Sequence, residues 1–524
     1  MDWHVSDVGA KARHRPDTTS IARSADMAQV SQLLNGAVWN VAGKLVQFAL
    51  SLVTLGVIAR FVGPQAYGVF SLTWIVIGLV EIVVAAAPID TLVQRKEVTT
   101  GHQNATWRAS MAIALLAWGA LTLSAGLIDS WLHGGILFLT LLPMRAASLP
   151  LSALAVVPTA MLMRQSRFKA IAAVESSAGV AASVTGLSLA LTGAGVWSLL
   201  GMELVRSAVS AAMMLRLSGW RPRWTAGRSD FTDLLGFNAS TWATWGLGYI
   251  DEQVPRALIG ATLGAHALGC YGLADRLLGQ IANVLMVPAY QVVSAGVARN
   301  QHDLVAVRAL MAAALRLSAL VACPLFLGLC AVAASLVPLL FGPAWTDAIV
   351  VVQILMLMGI RSSMGMIQIA AIRGLGKPNW HLWIGLIGVA CSLAGVSVGL
   401  RWGLTGVAVA MVLRSLLISP LHSMLVARLV GMPIGAQYSA LLASLLGAIP
   451  MAVIVFLADR WLQAWLPPLS ALSLLVVIGG CLYWFCLRLF APKIAHLGEQ
   501  MLCSLLRRDR IAFTGVANKA HLNG

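Results

Sequence analysis

The sequence predicts an all-α polytopic membrane protein, and its composition is the first reason. The 524 residues are 59% hydrophobic, and only 11% are Asp, Glu, Lys or Arg, against roughly 25% charged residues in soluble proteins. This composition excludes a soluble enzyme, and it excludes a disordered chain because disorder requires low hydrophobicity and dense charge. The seven cysteines show no Cys-x-x-Cys spacing, so we expect no disulfide framework, no metal site and no cofactor.

Long apolar runs are the second reason. A helix needs about 20 apolar residues to cross about 30 Å of hydrocarbon, where no water can satisfy backbone groups. The sequence supplies about fourteen such runs, at residues 34–60, 67–92, 107–128, 134–160, 170–192, 195–217, 234–260, 267–297, 308–338, 345–371, 380–400, 404–428, 437–458 and 468–490.

The order of these runs predicts the organisation of the chain. Residues 1–32 are polar and lack the apolar core of a signal peptide, which indicates a cytosolic tail. The following parts are an N-terminal six-helix bundle (33–217), a cytosolic linker (218–233), a C-terminal six-helix bundle (234–430), two additional helices forming a hairpin (431–491), and a cytosolic C-terminal tail (492–524).

The basic residues predict the orientation of the helices, because Lys and Arg in short loops stay on the cytosolic side. Of the 36 Lys and Arg residues, 26 fall on one side of the predicted helices, and only Arg60, Arg401 and Arg460 fall on the other. The formal net charge of +16 is therefore an orientation signal and not a nucleic-acid surface. Both termini are predicted to be cytosolic.

An internal repeat joins the two predicted bundles. Residues 58–72 (IARFVGPQAYGVFSL) and residues 259–273 (IGATLGAHALGCYGL) share an isoleucine, two glycines, an alanine and a leucine at an offset of 201. Six helices separate the copies, so both have the same topology, which predicts a parallel repeat about an axis along the membrane normal. Two facing bundles of this kind are expected to enclose a central cavity.

Seven bases fall within predicted membrane helices, where a charge is costly and normally faces protein or water. Arg206, Arg256 and Arg276 have an acid close by in the sequence (Glu203, Glu252 and Asp275), so ion pairing within the protein is the first interpretation for these three. The other four have no acid within four residues and are the stronger candidates to line the cavity and bind an anionic head group, unless an acid on another helix pairs with them: Lys44, Arg145, Arg361 and Arg414.

Two acids, Glu81 and Glu175, lack a basic neighbour within one helical turn. A buried lone carboxylate tends to be protonated or bound to an ion. These residues are candidates for coupling H⁺ or Na⁺ to transport, although neutral, hydrogen-bonded glutamates are equally consistent with the sequence. Asp251 and Glu252, beside the helix-interrupting Pro255, are further candidates.

The chain also resembles the polysaccharide transporter (Wzx/WzxC-like) family of bacterial flippases, within the superfamily of multidrug, oligosaccharidyl-lipid and polysaccharide exporters. The likeness extends over residues 34–430, and the order and spacing of its segments carry it: GPQAYGVFSL (63–72) with TLVQRKEVT (91–99), LIGATLGAHALGCYGLADRL (258–277), LVPLLFGPAWTDAIVVVQIL (336–355) with RGLGKPN (373–379), and GLTGVAVAMVL (403–413).

The resemblance implies alternating-access transfer of an undecaprenyl-diphosphate-linked oligosaccharide across the bacterial inner membrane, for exopolysaccharide, capsule or O-antigen (lipopolysaccharide) biosynthesis. Implied partners are the membrane lipid, a polysaccharide polymerase and export components. The family commonly has an Asp before the I-G-x-x-L-G run and an Arg after its first Gly, whereas this chain has Pro255 and Ala261. Asp251, one turn earlier, is the residue available to substitute.

Two other functions remain as alternatives at this stage. One is an ion-coupled multidrug-type exporter of the same superfamily, against which four unpaired intramembrane bases argue. The other is a membrane polysaccharide polymerase, which would need a sizeable extracytoplasmic loop with catalytic acids or bases. The predicted loops on that side are short, with Asp129, Asp347 and Asp459 scattered singly, so we expect a protein that is not an enzyme.

Overall fold

The computed structural model describes the backbone of residues 18–224, 228–376 and 378–492, together with residues 495, 496 and 499. Side chains are described over the same ranges except for 18–48, 228–244, 378, 379, 381 and 382. The described residues form α-helices joined by short turns and contain no β-strand. The helices are α1 (Thr18–Glu81), α2 (Ala87–Gln94), α3 (Thr100–Leu123), α4 (Ala125–Leu132), α5 (Gly135–Ala146), α6 (Ser148–Arg164), α7 (Phe168–Leu191), α8 (Trp197–Ser218), α9 (Arg228–Arg299), α10 (Leu304–Phe341), α11 (Ala348–Gly374), α12 (Pro378–Gly399), α13 (Gly403–Val430), α14 (Ile434–Leu462) and α15 (Pro468–Phe490).

The predicted class, an all-helical multi-pass membrane protein, is confirmed. Within the described residues, 11 helical runs are long and apolar enough to cross a membrane. The long helices α1 and α9 are each interrupted once, at Gly63 (φ 70°) and at Gly264 (φ 81°). A left-handed φ is readily adopted by glycine alone, so the chain changes direction at these two points. The count of fourteen spans remains a prediction.

Several boundaries differ from the sequence-based expectation: α3 begins at Thr100, before residue 107, and the runs predicted at 107–128 and 134–160 are each divided, into α3 and α4 and into α5 and α6. Helix α1 begins at Thr18, well before the predicted start at residue 34, and α9 begins at Arg228, before residue 234. Residues 1–17 and 225–227, and most of the predicted C-terminal tail, lie outside the described residues. The first part of the predicted linker packs on α3, with the Trp107 and Trp224 ring centroids 5.1 Å apart.

The helices pack in two groups that meet mainly along α1 and α9. Helices α1 to α8 pack with one another, as do α9 to α13, while α14 and α15 lie against α10. Many loop arginines lie at one end of both groups, called here the basic end. There the Arg164 guanidinium donates to the carbonyls of Leu92 (2.9 Å) and Lys96 (3.1 Å), which joins α6 to the end of α2.

The other end, called here the opposite end, contains both glycine breaks and a very close crossing of α1 and α9. A Cβ on Gly68 would overlap the carbonyl oxygen of Ala265, and a Cβ on Gly269 would overlap that of Pro64. Only glycine at both positions allows the two backbones to approach this closely.

Candidate functional site

A cavity of 2790 Å³ lies between the two helical groups. Its lining extends from Ile58 and Tyr67, near the opposite end, to Gln94 and Arg373 at the basic end. Eleven ionisable Asp, Glu and Arg side chains line it among the described residues: Glu81, Asp90, Glu175, Glu203, Arg206, Asp251, Glu252, Arg256, Asp275, Arg276 and Arg373.

Aromatic packing joins α1 to the end of α10 near the opposite end of the cavity. Trp345 is fully buried, and its indole N–H donates to the Ala59 carbonyl at 2.9 Å. Its ring meets that of Tyr67 edge to face, with centroids 5.6 Å apart. The Arg60 Nε also donates to the Leu340 carbonyl at 3.1 Å. These contacts hold α1 against the end of α10 and the turn that follows it.

The wall formed by α1, α2, α7 and α8 carries carboxylates. Glu81 is the last residue before a π-helical segment, Ile82–Ala86, a local widening that is frequent at functional sites. Ser152 of α6 donates to Glu81 at 3.1 Å. Glu203 and Arg206 lie near enough to Glu81 to interact with its carboxyl group electrostatically. Glu175 is exposed to the cavity.

The facing wall, formed mainly by α9, carries paired charges. Asp251 accepts from the Arg414 Nη2 at 2.6 Å and from Ser392 at 3.0 Å. Arg256 forms ion pairs with Glu252, at 3.5 Å, and with Asp275. Each of the three carboxylates on this wall therefore has a guanidinium partner.

Three of the predicted cation candidates lie behind the lining and not on it. Arg145 is 1% exposed, donates to Thr73 Oγ1 at 3.1 Å, and lies over the Trp74 ring at 4.0 Å. Arg361 donates to Ser415 at 2.9 Å. Their roles in transport remain predictions, but neither lines the cavity in this structure.

Arg414 is the third of these residues, and its position has a clear physical reason. Arg414 was expected to be a free cation because no acid lies near it on its own helix, but its partner Asp251 lies on α9.

The other cation candidates have different outcomes. The side chain of Lys44 lies outside the described residues. Arg206, Arg256 and Arg276 do line the cavity. The predicted ion pair between Arg256 and Glu252 is present. Asp275, however, pairs with Arg256 and not with the adjacent Arg276.

Sequence reasoning missed several lining residues that join the two groups. The Trp245 indole N–H donates to Asp90 at 2.9 Å, and the Tyr249 hydroxyl donates to the Trp74 carbonyl at 2.7 Å. A Cβ on Gly78 would collide with the Tyr249 ring, so this glycine admits the tyrosine. Asp90 was visible in the sequence as an acid inside an apolar run, whereas nothing in the spacing indicated its indole partner.

Together, the fold and the cavity define a helical membrane protein with a large chamber between two groups of helices, lined by apolar side chains with ionisable ones among them. The chain belongs to the family described as "Polysaccharide biosynthesis protein", whose family model matches residues 57–350, more than half of its length. The resemblance to polysaccharide transporters is thereby confirmed.

Individual relatives agree with this assignment, and solved structures share the fold. The succinoglycan biosynthesis transport protein ExoT of Rhizobium meliloti is 26% identical over 365 residues, which cover 69% of this chain and 73% of ExoT. The lipopolysaccharide biosynthesis protein WzxC of Escherichia coli is 24% identical over 65% of this chain and 69% of WzxC. In fold, the chain is similar to the lipid II flippase MurJ in an inward closed conformation, with a TM-score of 0.70 and 13% identity over 86% of this chain and 98% of MurJ. It is also similar to an inward-facing multidrug resistance MATE family transporter, with a TM-score of 0.59 and 14% identity over 74% of this chain and 98% of the transporter.

Proposed function

We propose that the protein moves an undecaprenyl-diphosphate-linked oligosaccharide from the cytosolic to the periplasmic leaflet of the bacterial inner membrane, for exopolysaccharide, capsule or O-antigen assembly. The observation that carries the proposal is the 2790 Å³ chamber in a member of this family. Pockets for drug-sized ligands occupy about 300–1,000 Å³, so the chamber suits a larger, polar head group. This size disfavours the alternative of a multidrug-type exporter.

The relatives support a role in polysaccharide assembly. ExoT is named for succinoglycan biosynthesis transport and WzxC for lipopolysaccharide biosynthesis. Both names fit a cargo of sugars built on a lipid carrier, and neither describes an enzyme. A polymerase remains the less favoured alternative.

The lining arginines are suited to the diphosphate. Arg276 and Arg373 have no acidic partner within the described part of the chain, and both line the cavity. A guanidinium matches phosphate oxygens with two parallel N–H bonds, and this attraction strengthens where water is scarce. In this proposal the sugars occupy the chamber, and the polyprenyl tail stays in the lipid.

Alternating access would follow from a duplicated architecture of fourteen spans. The breaks at Gly63 and Gly264 lie 201 positions apart, as do Gly68 and Gly269, and as do their contacts Pro64 and Ala265. Reciprocal contacts of this kind support two parallel repeats related by an approximate two-fold axis. Rocking of the two groups about this crossing would expose the chamber to either side.

Ion coupling, if present, would use the wall of carboxylates. Asp251 and Glu252 already have guanidinium partners, so they are poor ligands for H⁺ or Na⁺. Glu81 has only the Ser152 hydroxyl as a hydrogen-bond partner among the described residues, and Glu175 has no such partner. These two glutamates remain the candidates.

Deletion of the gene followed by analysis of lipid-linked oligosaccharides tests the proposal. A flippase predicts that lipid-linked repeat units accumulate on the cytosolic face. Unpolymerised units on the periplasmic face would indicate a polymerase, and normal units with altered drug sensitivity would indicate a multidrug exporter. Complementation with Arg276→Ala or Arg373→Ala should fail, whereas Arg316→Ala, which removes an exposed arginine outside the chamber, should restore export.

A further inference from the structure

The two walls of the chamber differ in charge. Among the described lining residues, the wall of α1, α2, α7 and α8 has four carboxylates against one guanidinium, Arg206. We call this set the carboxylate wall: Glu81, Asp90, Glu175 and Glu203. On the facing wall, every carboxylate is paired, and Arg276 and Arg373 form no ion pair in the described part of the chain, while Glu203 across the chamber interacts with Arg276 only at longer range. We call these two residues the arginine wall.

The carboxylate wall keeps its acceptors available. Asp90 accepts one hydrogen bond from the Trp245 indole, and Glu81 accepts one from Ser152. Glu175 and Glu203 accept none from the described residues. A carboxylate accepts hydrogen bonds through both oxygens, so most of the acceptor capacity of this wall is unused by the described residues.

Buried polar groups in the lining point independently to a hydrogen-bonding ligand. Gln253 is 7% exposed and Thr54 is 3% exposed, and both line the chamber. The Gln253 Oε1 and the Thr54 Oγ1 have no hydrogen-bond partner. A buried polar atom left without a partner is costly, and either side chain, once turned toward the chamber, would bond to a ligand rich in hydroxyls. Trp74, Trp245 and Tyr249 supply aromatic surface in the same chamber.

We propose that the carboxylate wall binds the hydroxyls of a neutral oligosaccharide and discriminates against glycans that carry acidic sugars. The inference rests on the function proposed above and specifies the sugar class of its cargo. Neutral sugars donate hydrogen bonds through every hydroxyl, which complements a wall of acceptors. A uronic acid or pyruvylated sugar would place like charges near Glu175 and Glu203, and like-charge contact is a common means of rejecting a wrong ligand.

The difference in charge between the two walls also orients the cargo. The diphosphate lies against the arginine wall, and the sugars extend toward the carboxylate wall. Exchange of the two ends would place phosphate against four carboxylates and a single guanidinium, Arg206. The head group therefore enters in one orientation.

Binding by the purified full-length protein in lipid nanodiscs tests this inference. Three ligands share one farnesyl chain: farnesyl diphosphate, the same lipid carrying a neutral glucose disaccharide, and its counterpart with a terminal glucuronic acid. Calorimetric titration should show that the neutral glycolipid binds about tenfold or more tightly than the acidic one, as expected for like charges a few ångströms apart. Equal or tighter binding of the acidic glycolipid would overturn the inference.

Variants identify the source of the discrimination. Glu175→Gln combined with Glu203→Gln should reduce the preference to about twofold or less by strengthening binding of the acidic glycolipid. Glu97→Gln, which removes an exposed carboxylate outside the chamber, should leave the preference unchanged. A preference that persists in the double variant would contradict the inference.

The farnesyl diphosphate measurement separates the two proposals. If this lipid binds and the two glycolipids bind equally, the inference about the sugar is wrong and the proposed function stands. If none of the three ligands binds, both the inference and the proposed function are wrong.

Discussion

Gly68 and Gly269 lie face to face where the two helical groups cross. The position of a Cβ on Gly68 would be 3.0 Å from the Gly269 nitrogen, and each glycine packs on a carbonyl of the other helix, that of Ala265 or of Pro64. The two contacts are related by the same shift of 201 residues that relates the repeated segments. This crossing brings the backbones of the two groups into direct contact near the opposite end of the chamber.

A side chain at this crossing should open the opposite end. Gly68→Ala or Gly269→Ala would overlap backbone atoms, and overpacking of this kind costs about 1–3 kcal/mol. We expect less export and faster labelling of a Ser71→Cys reporter, which lines the chamber, by an impermeant maleimide added from the periplasm. Gly119→Ala, where a Cβ meets nothing within 4 Å, is the control. Unchanged labelling would show that the crossing does not seal this end.

Trp345→Phe tests the aromatic contacts at the same end of the chamber. The substitution keeps a ring against Tyr67 but removes the indole donor to the Ala59 carbonyl, which would weaken these contacts by about 1 kcal/mol. The same Ser71→Cys reporter should label faster in the variant, by a smaller factor than in Gly68→Ala. Slower labelling would mean that the hydrogen bond stabilises a different conformation.

Arg145→Ala should lower the thermal stability of the protein. The side chain is buried and packs over Trp74 and Phe70, so truncation leaves a cavity that costs about 2–5 kcal/mol. Thermal unfolding in detergent should show a lower melting temperature. Arg206→Ala, which removes an exposed lining residue, should keep the normal melting temperature but impair export. An Arg145→Ala protein of normal stability without export would instead place Arg145 in contact with cargo.

Asp251 and Arg414 should be strongly coupled in a double-mutant cycle. Arg414→Gln leaves a half-buried carboxylate without its guanidinium, and loss of one partner of a buried pair costs about 3–5 kcal/mol. Combining it with Asp251→Asn should recover most of that loss, as measured by chemical unfolding. Additive effects of the two substitutions would contradict the pairing.

The control for this cycle is the exposed pair of Arg488 and Glu499. Arg488 Nε donates to Glu499 at 2.9 Å, and this hydrogen bond lowers the pKa of the Glu499 carboxyl from its usual value. Because both groups are in water, the measured coupling should be small. It should also disappear as the pH falls through the lowered pKa, since the stability contributed by an ionised carboxylate is lost on protonation.

Much of the helical architecture could be predicted from the sequence. The predicted apolar run at 345–371 corresponds to α11, Ala348–Gly374, and the run at 468–490 coincides with α15. The glycines at 63 and 264, singled out by the repeat, lie at the two breaks inside long helices. These features are local: a helix satisfies its own backbone within about 20 residues, and the need for a left-handed φ is met by glycine at that position.

The chamber was predicted less well, because the charge of its lining depends on which helices face one another. Arg414 has no acid near it in sequence, and its partner Asp251 lies 163 residues earlier. Arg145 packs against aromatic rings and does not line the chamber in this structure. A cavity of mainly cationic lining was expected, whereas the described lining contains more carboxylates than guanidinium groups.

The sequence by itself therefore determined the class of the protein, the approximate positions of several of its helices and the family to which it belongs. Only the tertiary structure decided which buried charges are neutralised and which remain available to a ligand. The physical reason is that burial makes every intramembrane charge costly wherever it lies along the chain, while the partner that offsets this cost is chosen by the crossing of helices far apart in sequence.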